Sequence, residues 1–166
     1  MENILYAPWR EEYVTNTKIQ GCVFCHISTH FEDDEELHVL YRDEFCFIVM
    51  NKYPYTPGHF MIIPHTHTDK LEELNPAVWL HMSALAQKGV RLLKEGFGAQ
   101  GVNIGMNLGR AGGAGIAEHI HMHLVPRWER DTNFITSIAD NRVYSSDFER
   151  IYKKIKSLIP EYISDS

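Results

Sequence analysis

Three histidines alternate with apolar residues in the segment AEHIHMHLVPRW, which spans residues 117–128. In an extended strand, alternate side chains point to the same face and lie roughly 6.5–7 Å apart. A strand here would place His119, His121 and His123 on one face and the intervening apolar side chains in a core. Packing requires only the alternation, and a solvent-facing strand would more often carry Thr, Lys or Glu. The pattern therefore predicts a half-buried strand whose polar face carries chemistry.

The composition favours a single domain and excludes several classes of function. The chain has 166 residues, of which 44% are hydrophobic, which suits one core. A net charge of -6 argues against a broad basic surface, so we expect no nucleic-acid partner. No apolar run approaches the ~20 residues of a membrane helix, and the N-terminal MENILYAPWREEYV lacks a secretory signal pattern. With three cysteines, an odd number, we expect a cytoplasmic protein with reduced thiols. Because no apolar run is long enough to span a membrane, we also expect no membrane partner.

Short apolar runs predict the other strands. The runs 37–42 and 44–50 are rich in β-branched and aromatic residues and predict a hairpin. The following loop, NKYPYTPG, contains two prolines and a glycine. We predict a third strand over His59–Pro64, a fourth over Gly101–Gly109, and the histidine segment as the fifth.

Two amphipathic helices complete the predicted fold. Asn75 and Pro76 have the residue types of a helix cap and first turn, and Gly96 is a plausible end. One stripe of this helix comprises Val78, Met82, Leu85 and Leu92. A C-terminal helix carries Phe148, Ile151, Tyr152, Ile155 and Leu158 on one side, and Pro160 is predicted to end it. The sum is an α+β fold, an antiparallel sheet of about five strands with one long helix between strands three and four.

Two chemistries suit three histidines on one face. They can ligate zinc and leave a fourth position for water. Alternatively, one imidazole can act as a nucleophile on phosphorus while its neighbours bind phosphate oxygens. Just upstream, the segment NLGRAGGAGIAEH contains four glycines, which allow backbone N–H groups to approach an anion closely. This loop favours phosphate chemistry over metal hydrolysis.

Two motifs resemble the signatures of the histidine triad (HIT) superfamily. HIHMHLV fits its alternating histidine pattern, and NKYPYTPGHFMIIPHTH is similar to its second signature, on the other side of the predicted helix. The resemblance covers about residues 22–127, which implies a single HIT-like domain over 1–166 with a C-terminal extension at 128–166. The longer stretch AEHIHMHLVPRWERDTNFIT also resembles the bacterial branch that contains diadenosine tetraphosphate phosphorylases.

The resemblance implies a mechanism in which the middle histidine is the nucleophile. His121 would attack the α-phosphorus of a nucleoside phosphate, a dinucleoside polyphosphate in this branch, and form a nucleotidyl-histidine. Water, phosphate or another acceptor would then release the nucleotide. His123 would orient phosphate oxygens and assist the leaving group, and His119 would position His121.

The resemblance also implies a nucleotide-binding set. Asn51 matches the position that holds the ribose hydroxyls, and His59 would lie near the same wall of the pocket. The phosphates would be held by Asn107 and by the backbone of Gly115, Ile116 and Ala117. From the residues alone, the alternatives are that Asn51 only stabilises its own turn and that His59 is a structural strand residue.

One departure from the family pattern concerns the acceptor. Many hydrolase members carry Gln four residues before the first histidine, where it can bind the bridging phosphate oxygen. Here that position is Gly115. The loop that contains it is one residue longer than in those hydrolases. The difference favours phosphate over water as the acceptor.

The cysteine pair in GCVFCHI predicts a metal site more readily than a redox site, because no βαβ pattern surrounds it. Two thiolates need two further ligands for a closed zinc site. By resemblance to zinc-containing triad proteins and to galactose-1-phosphate uridylyltransferases, Cys22 and Cys25 would be joined by His67 and His119. His65, His26 and His30 are alternatives, as is a metal-free pair of thiols. Zinc would be structural, and we expect no organic cofactor.

Two other functions are alternatives to nucleotidyl transfer, and the chain is also expected to form a homodimer. The chain could be a non-catalytic nucleotide-binding regulatory module, or a metallohydrolase that uses all three histidines as zinc ligands. The resemblance implies a homodimer, and the long helix offers a second stripe for it. That stripe comprises Trp79, Ser83, Ala86, Val90 and Leu93. The alternative is one broad face buried within a single chain.

Overall fold

An open antiparallel sheet forms the centre of the computed structural model, which describes residues 21–131 and 146–164. Its strands are β1 (Val39–Arg42), β2 (Cys46–Met50), β3 (Phe60–Pro64), β4 (Gly101–Gly105) and β5 (Met122–Arg127). They lie in the order β1-β2-β3-β5-β4, and each neighbouring pair is antiparallel. The predicted α+β class and five-stranded sheet are confirmed.

The fourth strand is shorter than the sequence predicts. It ends at Gly105, which pairs with His123 of β5. Because β5 begins at Met122, only one strand residue remains beyond this pair, and residues 107–109 have no partner strand. The turn-rich glycine loop therefore begins four residues earlier than expected.

The triad histidines straddle the start of β5 rather than all lying within it. His123 is a strand residue and pairs with Met61 of β3, but His119 and His121 precede the strand. Strand β3 continues to Pro64, so the pairing register would place His121 opposite Ile63, but the chain leaves that register before Met122. The chain ahead of β5 continues along the irregular segment after β3, where the Ile120 N–H donates to the Thr68 carbonyl over 2.8 Å.

The long helix forms where its cap predicts. Helix α1 covers Val23–Thr29, and the long helix, α2, covers Pro76–Arg91. The Asn75 side chain accepts a hydrogen bond from the Ala77 N–H over 2.9 Å, as expected of a cap residue. A single π-helical turn, Leu92–Gly96, continues α2 to the glycine predicted as its end. Short 3₁₀ turns lie at Phe31–Asp33, after α1, and at Leu71–Glu73, before α2.

The C-terminal helix does not end at Pro160. Helix α3 covers Phe148–Tyr162, with Asp147 as its cap. Proline lacks the N–H that would bond to the carbonyl four residues earlier. That loss falls in the last turn, which the Ile163 N–H closes by donating to the Ile159 carbonyl over 2.9 Å. A proline so close to the end removes one hydrogen bond without terminating the helix.

The sheet packs apolar side chains on both faces, as the alternation of strand residues requires. On one face, α2 and α3 cover a cluster that includes Ile48, Phe60, Ile62, Met82, Leu85, Leu124, Ile151 and Ile155. On the other, α1 covers a smaller cluster of Phe24, Ile27, Val39, Phe47, Val49, Met61 and Ile63. His123, opposite Met61, belongs to the α1 side, so α1 lies beside the histidines. Among the helices in the described ranges, none is long and apolar enough to cross a membrane.

Two leucines of α2 test this packing. Leu85 is 3% exposed in the core, and Leu80 is 68% exposed on the same helix. We expect Leu85→Ala to lower the free energy of unfolding by about 2–5 kcal/mol through lost burial and a residual cavity. Leu80→Ala removes the same atoms from the surface and should change it by less than about 0.5 kcal/mol. Equal effects in urea denaturation would contradict the orientation of α2.

Candidate active site

His121 presents one nitrogen with a free lone pair. Its Nδ1 lies 2.9 Å from the carbonyl oxygen of His119. A carbonyl only accepts hydrogen bonds, so Nδ1 carries the proton and Nε2 does not. The side chain is 5% exposed, and burial lowers the pKa of His121 against an opposing effect of this hydrogen bond. The ring is therefore neutral near pH 7, with a nucleophilic Nε2.

A chain of hydrogen bonds fixes the opposite tautomer in His123. The backbone N–H of Tyr55 donates to Nδ1 of His59 over 3.1 Å. The Nε2–H of His59 is then the donor to Nδ1 of His123, over 2.9 Å. His123 must consequently carry its proton on Nε2. We call this chain from Tyr55 through His59 to His123 the imidazole relay.

Burial keeps the relay uncharged. His59 is fully buried, and burial, with repulsion from His123 and His121, lowers its pKa to about 3. Burial and the proximity of His121 lower the pKa of His123 to about 4. Neither ring takes a second proton near pH 7, so each keeps one donor and one acceptor nitrogen.

The relay ends in an unused donor. Nε2 of His123 is buried and has no hydrogen-bond partner among the described residues. Leaving such a group unpaired costs about 1–3 kcal/mol, which an incoming acceptor recovers. The ring centroids of His121 and His123 are 4.8 Å apart, with planes at 76°. A lone-pair nitrogen thus lies beside an N–H donor, an arrangement that suits an electrophilic phosphorus and its oxygens.

His119 faces away from this pair, towards the cysteines. It is fully buried, and its Nε2–H donates to the Pro64 carbonyl over 2.9 Å. Its Nδ1 therefore carries a lone pair, 3.4 Å from Sγ of Cys22 and 3.7 Å from Sγ of Cys25. Nδ1 of His67 lies 3.2 Å from the same Cys25 sulfur. The four side chains expected to bind zinc converge, with all donor atoms within 4.8 Å of one another.

The spacing of these donors fits a tetrahedral ion. Zinc–sulfur and zinc–nitrogen bonds of about 2.3 and 2.0–2.1 Å at tetrahedral angles place sulfur and nitrogen about 3.5 Å apart. The three measured separations, 3.2, 3.4 and 3.7 Å, lie around that value. Burial and the adjacent Cys22 raise the pKa of the Cys25 thiol, and a bound cation would oppose both effects.

The alternative zinc ligands lie elsewhere. His65 contacts Ser28 Oγ at 2.7 Å and donates to the Asp43 carbonyl at 2.9 Å. The rings of His26 and His30 pack against each other, with centroids 3.8 Å apart. None of these three histidines belongs to the four-residue cluster.

The two residues of the proposed ribose wall behave differently from each other. Oδ1 of Asn51 accepts from the Tyr53 N–H over 2.9 Å, so this side chain does stabilise its turn. Its Nδ2 lies 3.3 Å from both ring nitrogens of His59. Asn51 is half-buried and can still reach a ligand. His59 has no exposed surface and can act on a ligand only through its neighbours.

The glycine loop is shaped by local constraints. At Gly112 a Cβ would lie 2.4 Å from the Leu108 carbonyl oxygen, and Gly113 has a φ of +87°, so both positions require glycine. Asn107 is half-buried near the start of the loop. At its end, the backbone N–H groups of Gly115, Ile116 and Ala117 donate no hydrogen bond within the described ranges. These groups remain available for an anion.

Sequence reasoning missed three residues of the site. Tyr55 supplies the N–H that starts the imidazole relay, and its ring lies 4.7 Å from that of His59. Thr56 anchors the same loop by donating to the Pro126 carbonyl over 2.7 Å. Phe24 packs against His121, with ring centroids 5.1 Å apart. The only sequence signal for them is their position, inside NKYPYTPG and between the two cysteines.

Comparisons with known proteins match the same region. A sequence model of the HIT domain family matches residues 32–130. An AP-4-A phosphorylase of Mycobacterium tuberculosis is 42% identical over 110 residues, 66% of this chain and 56% of the relative. The asymmetrical bis(5'-nucleosyl)-tetraphosphatase of Schizosaccharomyces pombe is 27% identical over 120 residues, 72% of this chain and 62% of the relative. The chain thus spans a little over half the length of the phosphorylase.

Solved structures share the fold. A Zn-bound histidine triad family protein from Mycobacterium smegmatis has a TM-score of 0.69 and 31% identity, covering 85% of this chain and 94% of that one. A hypothetical histidine triad nucleotide-binding protein from Sulfolobus tokodaii strain7 has a TM-score of 0.66 and 27% identity, with coverages of 84% and 93%.

Proposed function

The chain belongs to the HIT domain family, and from that premise we propose that it transfers a nucleotidyl group from a dinucleoside polyphosphate through an intermediate on His121. The observation that carries the proposal is the pairing of two neutral imidazoles of opposite tautomer. Nε2 of His121 offers a lone pair, and the adjacent Nε2–H of His123 offers a hydrogen-bond donor. The relatives named AP-4-A phosphorylase and bis(5'-nucleosyl)-tetraphosphatase support this substrate class.

In the first step, Nε2 of His121 attacks the α-phosphorus. A phosphorus–nitrogen bond forms, and the bond to the departing nucleoside polyphosphate oxygen breaks. The Nε2–H of His123 donates a hydrogen bond to that oxygen and stabilises the negative charge that develops on it. The positive charge on the substituted imidazole is stabilised by the hydrogen bond from Nδ1–H to the His119 carbonyl. In the second step the acceptor attacks phosphorus, releases the nucleotide and restores His121.

The surrounding groups would hold the substrate. The unused N–H groups of Gly115, Ile116 and Ala117 suit phosphate oxygens. Asn107 would assist them, and Asn51 would bind the ribose. His59 contributes by fixing the tautomer of His123 rather than by touching the nucleotide.

We propose phosphate as the preferred acceptor. A Cβ at Gly115 would meet nothing within 4 Å, so the site is open where many hydrolases carry a glutamine. The adjacent backbone donors can position a free phosphate in that space, which favours it over water through orientation. The similarity to a phosphorylase at 42% identity supports the same choice.

We propose one structural zinc ion, held by Cys22, Cys25, His67 and His119. When bound, zinc would cross-link α1 to the segment that enters β5 and so stabilise the chain beside His121. The donor separations fit this ion, and the solved relative from Mycobacterium smegmatis is described as Zn-bound. The site needs reduced thiols, which agrees with the proposed cytoplasmic location.

We propose that a second copy of the chain covers the exposed side of α2. A groove of about 430 Å³ lies between α2 and β4, lined almost entirely by apolar surface that includes Trp79, Ser83, Val90 and Ile104. Ile104 is 49% exposed. Leu93 and Ala86, expected on the same stripe, are instead buried in the core of their own chain.

The acceptor is tested with diadenosine tetraphosphate. With added phosphate we expect a faster reaction that yields ADP and ATP, whereas water as acceptor yields AMP and ATP. Gly115→Gln should increase the share of AMP by filling the open space. Dominant AMP at every phosphate concentration would refute phosphorolysis.

The role of His121 is tested by substitution. His121→Ala should lose nearly all turnover, by at least about 10³-fold, while still binding nucleotide. Binding without turnover in the unmodified chain would identify a non-catalytic module.

Elemental analysis of protein purified without chelators tests the metal. We expect about one zinc per chain, and less than about one tenth of that in a Cys22→Ser/Cys25→Ser variant, since two of four ligands are lost. His65→Ala, a neighbouring histidine outside the cluster, is the matched control and should retain zinc. A zinc content near zero in the unmodified chain, or unchanged in the double variant, would contradict the proposal.

Light scattering at micromolar concentration tests the assembly. We expect the mass of a dimer for the unmodified chain and of a monomer for Val90→Glu, which introduces a charge into the apolar groove. Leu80→Glu makes the same change type at a 68% exposed position of α2 and should remain a dimer. A monomeric unmodified chain, or equal effects of both variants, would refute this interface.

A further inference from the structure

A second cavity, separate from the histidines, lies between α3 and the segments that carry Phe97 and Trp128. Its volume is about 390 Å³, and its lining includes these two aromatic rings together with Arg150 and Lys154. None of the triad histidines lines it. The size falls within the range of about 300–1,000 Å³ typical of small-molecule sites.

The cations of this cavity are not neutralised by their own helix. Arg150 and Lys154 lie one turn apart on α3. The neighbouring carboxylates are engaged elsewhere, since Asp147 accepts from the Arg150 backbone N–H and Glu149 pairs with His38. No ion pair to either cation occurs within the described ranges. In a chain of net charge -6, the cavity is therefore a local site for an anion.

The aromatic wall is held in place. The rings of Phe97 and Trp128 meet edge to face, with centroids 5.9 Å apart. The Trp128 indole N–H donates to the Gly98 carbonyl over 2.8 Å, which fixes the orientation of that ring. Nζ of Lys154 lies 5.1 Å from the centroid of Phe97. A flat ring that stacks on Trp128 would meet Phe97 at an angle, and a cation beside it could reach an attached anionic group.

We propose that this cavity is a second binding site, for a nucleotide whose base packs against Trp128 and Phe97 and whose phosphate lies between Arg150 and Lys154. A base supplies the flat ring, and a phosphate supplies the charge that pairs with two cations. The site does not depend on the proposed chemistry at His121, because it shares no residue with the triad.

The cavity nevertheless adjoins the imidazole relay. A Cβ at Gly58 would lie 2.6 Å from the Phe97 ring, and Gly58 has a φ of +87°, so the loop packs directly on the cavity wall. The next residue is His59. A test must therefore separate direct binding at Trp128 from an indirect effect of binding at the histidines.

The test follows the indole N–H resonance of Trp128 by NMR during titration with AMP. We expect a saturable shift whose midpoint differs from that of shifts at the triad histidines. Adenosine lacks the phosphate and ribose 5-phosphate lacks the base, so each should bind at least about 10-fold more weakly than AMP. Lys154→Glu should weaken AMP binding at Trp128 by at least about 10-fold. Lys153→Glu, the same charge change on the adjacent exposed residue, should change it by less than about 2-fold.

Three results would overturn the proposal. One is an unmoved Trp128 resonance at millimolar AMP. Another is equal weakening by Lys153→Glu and Lys154→Glu, which would indicate only diffuse electrostatic attraction. The third is a Trp128 shift that has the midpoint of the triad shifts and does not respond to Lys154→Glu, which would indicate transmission through Gly58.

Discussion

The hydrogen bond between His59 and His123 is the constraint on which the site depends. It passes the donor of Tyr55 through a buried ring and leaves His123 with its proton on the nitrogen that faces no protein partner. His121 receives the opposite tautomer from a backbone carbonyl. Burial keeps all three rings neutral near pH 7, and the hydrogen bonds determine which nitrogen of each ring carries the proton. Complementary acceptor and donor nitrogens result from ordinary hydrogen bonds within the fold.

His119 connects this arrangement to the cysteines. Its Nε2–H holds the end of β3, its carbonyl holds His121, and its Nδ1 faces two sulfur atoms. One side chain and its backbone therefore link the sheet, His121 and the candidate metal cluster. This placement agrees with the proposal that His119 positions its neighbour while His121 and His123 act on the substrate. It also disfavours a metal bound by all three histidines, since their nitrogens do not converge.

Much of this fold and site could be predicted from the sequence, because the relevant signals are local. The alternation over residues 119–123 predicted the strand β5, although only His123 of the three histidines lies within it. Asn75 predicted the start of α2. The prediction that the cysteines converge with His67 and His119 came from family resemblance, since no local pattern relates residues so far apart. Predicted strand ends were wrong where a neighbouring strand determines them. Strand β4 ends at Gly105 because its partner β5 begins only at Met122. The donor role of Tyr55 belongs to the backbone, which side-chain identity does not reveal.

The same reasoning explains the helices. Pro160 fails to end α3 because its missing hydrogen bond falls in the final turn. Leu93 is buried because it lies one turn after Gly89, which faces the core, so its predicted stripe turns inward towards the end of the helix.

The tautomers of the buried histidines test the central claim most directly. Long-range ¹H–¹⁵N correlation spectra of the imidazole rings at pH 7 distinguish a proton on Nδ1 from one on Nε2 in each assigned residue. The account predicts a neutral His121 with its proton on Nδ1, and neutral His59 and His123 with theirs on Nε2. A proton on Nε2 of His121, or on Nδ1 of His123, would contradict it, as would a positively charged ring at either position.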